Sequence, residues 1–375
     1  MAADPFAFAA EELTAIRDAG LYRERRVCDL LPGGLIDAGG SELWNFASND
    51  YLGLAAEPPP PRPGGSGASA LVTGRSSDIA ELERRLAELK GVDAALLFPT
   101  GYAANLGTVS ALLRPGDTAL VDRLSHSCLV EGVRLSGATM RVYHADRLSV
   151  LDRELGNANG GRRVVITDGV FSMDGTVAPL WELHDLCESR DAILVVDEAH
   201  GTGVFGPTGA GVCEAAGLAS ERLVTTGTLS KALGTLGGFV CGRSDVIDWL
   251  RHHARTQVYS TALPPALAAK ALRSLDVIRN EPERRDRLFA LADRLRDRLR
   301  RGGCDVPSSV GPIVPVLLGE PGAASEAAAK LESRGFLVGC IRPPTVPGGT
   351  SRLRISVSAV HDAATIDSLA DALTT

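Results

Sequence analysis

The sequence predicts an α/β protein with a mostly parallel sheet that helices cover on both faces, followed by a smaller C-terminal α/β unit. Two observations predict it. Short, continuous apolar runs alternate with helical stretches from residue 78 onward, which is typical of strands buried on both faces. After Pro264-Pro265 this alternation gives way to a long helical stretch. The 375 residues, 45% of them hydrophobic, therefore divide into a segment 1–40, a large domain 41–262 and a small domain 263–375.

The first elements are short. Helical periodicity covers residues 8–26, a Gly/Pro turn follows at 32–34, and a strand is predicted near 43–46. Residues 58–63 are prolines except for one arginine, and proline removes the amide donors that a helix needs. We expect a stiff loop there.

The large domain then alternates regularly. Helices are predicted over 78–90 and from Gly101 onward. The apolar runs predict strands at 94–98, 118–121, 163–167, 192–196, 223–226 and 238–241. The small domain is predicted as a helix over 265–300 with strands at 313–317, 337–340 and 353–357. In parallel sheets of this kind, ligands bind beyond the carboxyl ends of the strands.

The net charge and the pattern of cysteines argue against several classes of protein. A net charge of −7 argues against a nucleic-acid surface or an anionic membrane partner. The start of the chain lacks the charged and apolar regions of a secretory signal, and no apolar run is long enough for a membrane span. Seven scattered cysteines without a CxxC pair indicate reduced thiols rather than disulfides or a zinc site. We expect a cytoplasmic protein without a bound metal.

Lys231 carries the most specific chemical signal. It is one of four lysines in a chain that otherwise uses arginine, and small hydroxyl residues and glycines surround it over 225–234. Arginine would serve solubility equally well, but only the lysine amine forms an imine. Upstream, the apolar run 193–196 ends in Asp197 and His200. Together these two segments predict an electron-sink cofactor bound covalently by Lys231.

Asp197 and His200 suit such a cofactor. A carboxylate at a strand end favours the protonated form of a pyridine nitrogen, and His200 can donate to a phenolic oxygen. His126 follows the strand 118–121, where an imidazole can stack on a flat ring. The residues alone leave open that Asp197 caps a turn and that His126 is a satisfied core histidine.

The same part of the sequence favours a phosphate site and argues against three other kinds of site. Gly101 opens a helix after a strand, and backbone N–H groups there suit a phosphate that the Thr228 hydroxyl can join. A helicase would need a Gly-Lys phosphate loop, which is missing from the sequence. The spacing of His126, Asp197 and His200 matches no common zinc pattern. A hydrolase elbow of the form Gly-x-Ser-x-Gly is missing as well.

A series of motifs, taken in order, resembles the α-oxoamine synthases, which are pyridoxal-phosphate enzymes of the aspartate-aminotransferase-like fold (fold type I). The match runs through most of the chain. The motifs are Asn49–Leu54, Val72–Gly74, Thr100–Asn105, Asp122–His126, Gly169–Gly175, Asp197–Gly201, Thr228–Lys231 and Tyr259–Thr261.

The C-terminal part of the resemblance indicates the substrates. Residues 341–347, which contain an arginine followed by two prolines, look like those of members that condense L-alanine with a pimeloyl thioester in biotin synthesis. The acyl carrier in that group is coenzyme A or an acyl-carrier protein, and the sequence does not distinguish them. Members that make aminolevulinate, aminoketobutyrate or ketosphinganine from another amino acid and acyl-CoA remain the alternative.

The resemblance implies a role for each residue around the cofactor ring. Lys231 would form the imine with pyridoxal phosphate and act as the base at the amino-acid Cα. Asp197 would pair with the pyridine nitrogen, His200 with the phenolic oxygen, and His126 would stack on the ring. Ser172 would lie beside the phenolic oxygen.

The resemblance also implies phosphate contacts shared by two subunits. Gly101 and Tyr102 would contribute backbone groups near the phosphate, and Thr228 would bind it from the same subunit. Ser260 and Thr261 would reach it from the other subunit of a homodimer.

Substrate residues and two departures complete the resemblance. Asn49 and Arg354 would hold the amino-acid carboxylate, and Arg23 is the nearest match to an arginine that binds the acyl substrate. Asp168 stands where many relatives have glutamate, so its contact must be shorter. The proline run 58–63 replaces a helix near the acyl entrance, which bears on acyl specificity.

Overall fold

A computed structural model describes residues 5–158 and 160–374 of the chain. Residues 1–4 of the predicted N-terminal segment, residue 159 and the final residue lie outside the described part. Within these ranges the strands, in chain order, are β1 Cys28–Leu30, β2 Leu35–Ala38, β3 Glu42–Phe46, β4 Ala94–Phe98, β5 Thr118–Asp122, β6 Thr139–Tyr143, β7 Arg163–Asp168, β8 Ile193–Asp197, β9 Leu223–Thr228, β10 Gly238–Gly242, β11 Ile313–Gly319, β12 Phe336–Ile341 and β13 Ser351–Ser356.

The α-helices of the described residues are α1 Ala7–Asp18, α2 Ser77–Lys90, α3 Gly101–Leu112, α4 Ser127–Ser136, α5 Leu148–Asn157, α6 Leu180–Ser189, α7 Val212–Ala215, α8 Ser244–His253, α9 Arg255–Val258, α10 Pro265–Asn280, α11 Pro282–Arg301, α12 Pro321–Ser333 and α13 Ala363–Thr374. None of these helices combines the length and the apolar character that crossing a bilayer requires.

The chain forms two compact units. One is Asn49–Leu288, and the other contains the described residues up to Ser48 and from Phe289 onward. The first unit extends beyond the predicted boundary at 262/263 because α10 packs on α2. Two side chains of α10 also bond to this unit: Ser274 Oγ donates to Leu233 O at 2.8 Å, and Lys270 Nζ donates to Ala55 O at 2.9 Å.

The unit Asn49–Leu288 contains a sheet whose described strands run in the order β4-β10-β9-β8-β7-β5-β6. Strand β10 is antiparallel to both of its neighbours, and the β9-β8-β7-β5-β6 pairs are parallel. Its central strands are buried on both faces, because the successive β7 residues Val164, Val165 and Ile166 are each 0% exposed. This confirms the predicted mostly parallel sheet, because β-branched residues without polar alternation need helices on both sides.

The other unit contains a mixed sheet in the order β1-β2-β3-β12-β13-β11. Strand β12 is parallel to β3, with Phe336 opposite Trp44, and the other pairs are antiparallel. The N-terminal segment and the C-terminal residues thus share one sheet, although they are far apart in sequence. Within this unit Phe46 is fully buried and packs on Phe336 and His361.

Two predicted helices end earlier than periodicity suggested. The helix predicted over 8–26 ends at Asp18, and Gly20 follows with a left-handed φ of 65°. The stretch predicted as one helix over 265–300 is two helices that break at Glu281. Pro282 causes the break because proline disfavours helical geometry in the residue before it and lacks an amide donor. The predicted strands at 94–98, 118–121, 163–167 and 223–226 are confirmed to within two residues.

Candidate active site

The carboxyl ends of neighbouring strands bring the predicted polar residues to one edge of the sheet. The register pairs Asp168 of β7 with Asp197 of β8, and Asp197 with Thr226 of β9. Asp122 ends the adjoining strand β5. Parallel strands place their carboxyl ends at the same edge, so residues distant in sequence meet here.

Lys231 lies at the start of a hydrogen-bonded chain of side chains. Its Nζ is 2.8 Å from His200 Nε2, and His200 Nδ1 is 2.6 Å from the Tyr51 hydroxyl. Tyr51 donates its single hydrogen to Asn49 Oδ1 at 3.1 Å, so Nδ1 of His200 carries a hydrogen and donates it to Tyr51. The Nε2 lone pair then accepts from Lys231. Tyr51 thereby selects the tautomer of His200.

This tautomer qualifies the role predicted for His200. In the arrangement just described Nε2 is an acceptor. Donation from Nε2 to a phenolic oxygen therefore requires that Nε2 first receives a proton. The nearest donor is the Lys231 amine, 2.8 Å away.

Asp197 is held from both sides of its carboxylate. Asn105 Nδ2 donates to Oδ2 at 2.6 Å, and the backbone N–H of Ala199 donates to Oδ1 at 2.8 Å. Asn105 is itself buried at 4% exposure and accepts a hydrogen bond from the Thr226 hydroxyl through its amide oxygen. Bonds to both oxygens fix the plane of the carboxylate, so Asp197 is oriented before any ligand binds.

His126 begins helix α4 and lies beside this group. Its Nδ1 is 2.8 Å from Cys128 Sγ, and its ring meets that of Tyr102 edge to face at 6.4 Å. Burial lowers the pKa of His126 below its ordinary value, against the opposing effect of Asp197. A low pKa keeps the imidazole neutral, which suits a flat apolar contact with a ring.

Asp168 makes the contact that its shorter side chain permits. Its Oδ1 accepts a hydrogen bond from the backbone N–H of His126 at 3.0 Å, so it positions the start of α4. Burial, followed by the neighbouring charge of Asp197, raises the pKa of Asp168 well above its usual range. Ionising both of two buried carboxyl groups on adjacent strands is unfavourable, and their proximity depends on strand order, which sequence reasoning did not reveal.

Two of the residues predicted to hold a phosphate, Gly101 and Thr228, lie so close together that only glycine fits at position 101. A Cβ on Gly101 would lie 2.9 Å from the Thr228 Cβ and 3.1 Å from its Oγ1. Helix α3 therefore begins directly against Thr228, whose hydroxyl is 2.8 Å from that of Ser230. The Thr100 side chain accepts from the Ala103 amide at 3.0 Å, and the amides of Gly101 and Tyr102 at the start of α3 fit the phosphate of the predicted cofactor.

The remaining predicted residues lie in two places. Ser172 lies in the turn after β7, and Ser260 and Thr261 follow α9, where exposed Thr261 forms a β-bridge with Ser69. In the other unit, Arg354 is buried in β13 and donates to Ser356 Oγ at 2.8 Å. Exposed Arg23 donates to Thr345 Oγ1 at 3.1 Å, beside the arginine-diproline run. The functions predicted for these residues remain predictions.

Sequence reasoning missed three residues that orient this site, namely Tyr51, Asn105 and Thr226. Two of them lie inside recognised motifs, Asn49–Leu54 and Thr100–Asn105, so a signal was present. The pairing of Asn105 with Asp197 joins helix α3 to β8 and depends on strand order, which the sequence does not show.

Comparisons with known proteins identify the family. The profile of the family "aminotransferase class I and II" matches residues 41–373. The 8-amino-7-oxononanoate synthase of Methylococcus capsulatus is 48% identical, covering 97% of this chain and 97% of its own. The synthase of the same name from Alkalilimnicola ehrlichii is 45% identical, covering 97% and 96%. A solved serine palmitoyltransferase variant from S. paucimobilis, described with bound PLP-myriocin aldimine, superposes with a TM-score of 0.91 at 28% identity, covering 98% and 96%.

Proposed function

This chain belongs to the aminotransferase class I and II family, and we propose that it catalyses the 8-amino-7-oxononanoate synthase reaction of biotin synthesis. In that reaction L-alanine condenses with a pimeloyl thioester and releases CO2 and the free thiol. The observation that carries the proposal is Lys231, whose amine is 2.8 Å from His200 Nε2 at the same sheet edge as Asp197. Relatives of this name, 45–48% identical over nearly the full length, supply the substrates.

The enzyme uses pyridoxal phosphate. When bound, this cofactor withdraws electrons from the amino-acid Cα and so makes its proton removable. The residues that would hold it are Lys231, Asp197, His200, His126, Ser172, Gly101, Tyr102 and Thr228, with Ser260 and Thr261 from a second subunit.

Lys231 moves the proton at the alanine Cα. Its amine takes that proton and later returns one, and His200 Nε2, 2.8 Å from Nζ, orients the amine by accepting a hydrogen bond from it. Tyr51 holds His200 in the accepting tautomer. Asp197, fixed by Asn105 and Ala199, keeps a proton on the cofactor's ring nitrogen through its negative charge.

Substrate selection belongs to other residues. Arg354, buried in β13, would bind the alanine carboxylate, and Arg23 donates to Thr345 at the arginine-diproline run that accompanies this acyl specificity in the family. The proline run 58–63 is tied down on both sides, because Arg62 Nε donates to Asp78 at 2.9 Å and Ala266 N donates to Pro63 O at 3.3 Å. A loop bound in this way supports a preformed acyl entrance.

The proposal includes a cytoplasmic homodimer with an active site shared between subunits. All seven cysteines are thiols in this structure, which supports a reducing compartment. Light scattering of the purified enzyme tests the dimer. Mixing an inactive Lys231→Ala chain with a Thr261→Ala chain tests the sharing, since heterodimers would regain one intact site.

Thiol release by the cofactor-loaded enzyme is the decisive experiment. Alanine, glycine and serine are each combined with pimeloyl-, acetyl-, succinyl- and palmitoyl-CoA, and the alanine reaction is repeated with the pimeloyl acyl-carrier protein. We expect turnover confined to alanine with a pimeloyl thioester. Turnover with serine and palmitoyl-CoA would instead assign the activity named for the structural neighbour.

A further inference from the structure

Cys128 is a buried thiol that contacts two residues of the candidate active site. It lies in the first turn of α4 and is 1% exposed. Its Sγ is 3.2 Å from Asn105 Nδ2 and 2.8 Å from His126 Nδ1. Asn105 orients Asp197, and His126 is the residue predicted to stack on the cofactor ring. The thiol therefore links the residues predicted to contact the nitrogen and the plane of that ring, and the mechanism above does not use it.

The thiol of Cys128 keeps its hydrogen. Burial, followed by the charge of Asp197, raises the pKa of Cys128 to about 12. A protonated Sγ has one hydrogen to donate and lone pairs that accept weakly. Because Nδ2 of the Asn105 amide can only donate, Sγ accepts from Asn105, and the S–H hydrogen is left for His126.

The backbone of α4 shows which form of His126 receives that hydrogen. The N–H of Cys128 donates to His126 Nδ1 at 3.3 Å, and an N–H cannot donate to a ring nitrogen that carries a hydrogen of its own. Nδ1 is therefore bare, and the neutral imidazole has its hydrogen on Nε2. Cys128 thus contacts the same ring nitrogen twice, through its amide and through its thiol.

These contacts hold a ring that would otherwise turn. His126 has exposed surface, and an exposed imidazole can rotate about both of its side-chain bonds. The backbone of His126 is held separately, because its N–H donates to Asp168 at 3.0 Å. With the backbone bound to Asp168 and Nδ1 bound to Cys128, the plane of the imidazole is set before a cofactor binds.

The same thiol completes the hydrogen bonding of Asn105. One Nδ2 hydrogen goes to Asp197 at 2.6 Å and the other goes to Cys128 at 3.2 Å, while Thr226 donates to the amide oxygen. Every polar atom of this side chain thus has a partner, as an amide that is only 4% exposed requires. Hydrogen bonds thereby connect Asp197 to His126 through two intervening side chains.

We propose that Cys128 is a positioning residue of the active site. Its thiol accepts from Asn105 and donates to His126, and it thereby holds the imidazole in the plane and the tautomer in which it stacks on the cofactor ring. The inference rests on the proposed cofactor site and adds to it a residue that acts through His126.

Three substitutions separate hydrogen bonding from packing, because a buried cysteine can also serve as a small apolar side chain. Cys128→Ser keeps a group that donates and accepts, Cys128→Val fills the space without a polar atom, and Cys128→Ala loses both. Pyridoxal phosphate is titrated into each cofactor-free full-length chain while absorbance and visible circular dichroism are recorded. The dichroism of the bound cofactor depends on how nearby groups are oriented around its ring.

We expect Cys128→Val and Cys128→Ala to bind pyridoxal phosphate about 5-fold more weakly, the change that one lost hydrogen bond produces, and to lose visible dichroism. Cys128→Ser should keep both properties near those of wild type. The matched control is Cys187 of α6, which is also 1% exposed and whose pKa burial also raises to about 12. Cys187→Val should leave the affinity and the dichroism unchanged.

A double substitution tests whether Cys128 acts through the imidazole. In a His126→Ala background, Cys128→Val should change the dichroism less than it does in wild type, because the ring that the thiol positions is missing. An equally large change in both backgrounds would contradict the proposal. Wild-type affinity and dichroism in Cys128→Val or Cys128→Ala would overturn it, as would equal defects in Cys128→Ser and Cys128→Ala.

The proposed reaction and the role of Cys128 can fail separately, because none of these measurements uses an acyl thioester. A wild-type chain that binds pyridoxal phosphate but releases no thiol from a pimeloyl thioester would contradict the reaction alone. Cys128 variants that bind the cofactor as wild type does would contradict only the role of the thiol.

Discussion

The two ends of the same sheet use their charged groups in different ways. At the carboxyl end, Lys231 contacts a histidine and Asp197 is held between two donors, so each reactive group has a specific polar partner. At the other end, Lys90 and Arg285 line a cavity of about 1030 Å³ and donate to neutral oxygens of other chain segments. The polar groups of the first end surround one amine, whereas these two cations of the second end hold neighbouring segments of the chain together.

One chain segment contributes residues to both ends of the sheet. Residues 197–213 begin with Asp197 at the carboxyl edge and end with Cys213 in the wall of the cavity. Buried Glu198 ties the segment together, because its carboxylate accepts from the backbone N–H groups of Val212 at 3.0 Å and Cys213 at 2.8 Å. A substitution in this segment can therefore change both ends of the sheet, so its effect on activity and its effect on stability have to be measured together.

The largest loss of activity is expected from removing the Lys231 amine. Lys231→Ala deletes the amine that contacts His200, so we expect loss of the cofactor imine absorbance and a fall in kcat of at least about 1,000-fold. Absorbance spectra and thiol release measure the two effects. Lys330→Ala, at an exposed lysine in the other unit, is the control and should behave as wild type. Normal turnover of Lys231→Ala would end the assignment of this edge as the active site.

The next contrast lies between two neighbouring aspartates. Asp197→Asn removes a charge that Asn105 and Ala199 orient, and kcat should fall at least about 100-fold. Asp168→Asn should stay within a few-fold of wild type, because burial raises the pKa of Asp168 and so disfavours its charge, and an amide oxygen can still accept from the His126 N–H. The rate of proton exchange at the alanine Cα measures the effect of both substitutions. Equal losses in the two variants would show that Asp168 is also needed as an anion.

A smaller effect tests the hydrogen-bonded chain behind Lys231. Tyr51→Phe removes the acceptor of His200 Nδ1, so the tautomer is no longer selected and kcat should fall about 5-fold, as for one lost hydrogen bond of about 1 kcal/mol. The pH profile of kcat should shift as well, which a purely structural loss would not cause. Tyr22→Phe, at an exposed tyrosine, provides the control. An unchanged pH profile would remove Tyr51 from the proton chain.

The smallest expected effect is the difference in free energy of unfolding between variants of two adjacent threonines on β9. Thr226→Val breaks the bond to Asn105 and should lower the free energy of unfolding by about 1–3 kcal/mol. Thr225→Val removes a hydroxyl that has no partner in the described chain, so stability should stay level or rise by about 1 kcal/mol. Denaturant unfolding measures both. A loss in Thr225→Val as large as that in Thr226→Val would mean that the Thr225 hydroxyl is satisfied, contrary to the comparison.

Sequence reasoning predicted most of the large sheet because its strands are short, continuous and apolar. The predicted strand 94–98 matches β4, and Asp197 was predicted at the carboxyl end of a strand, where β8 ends. It erred on helix ends, where a single proline or glycine overrides periodicity, as at Pro282 and Gly20. The cavity at the opposite end was not foreseen, since its lining comes from four separate parts of the chain, within 85–93, 207–225, 241–243 and 275–285.

By itself the sequence determined the fold class, the cofactor and the motif order, because apolar runs and residue types act locally. Only the tertiary structure decided that Asn105 orients Asp197, that Tyr51 selects the tautomer of His200, and that Asp168 lies beside Asp197. These contacts depend on strand order and register, which many distant residues fix together through burial. The physical reason is that a hydrogen bond needs its two atoms within about 3 Å, and only the packed chain sets that distance.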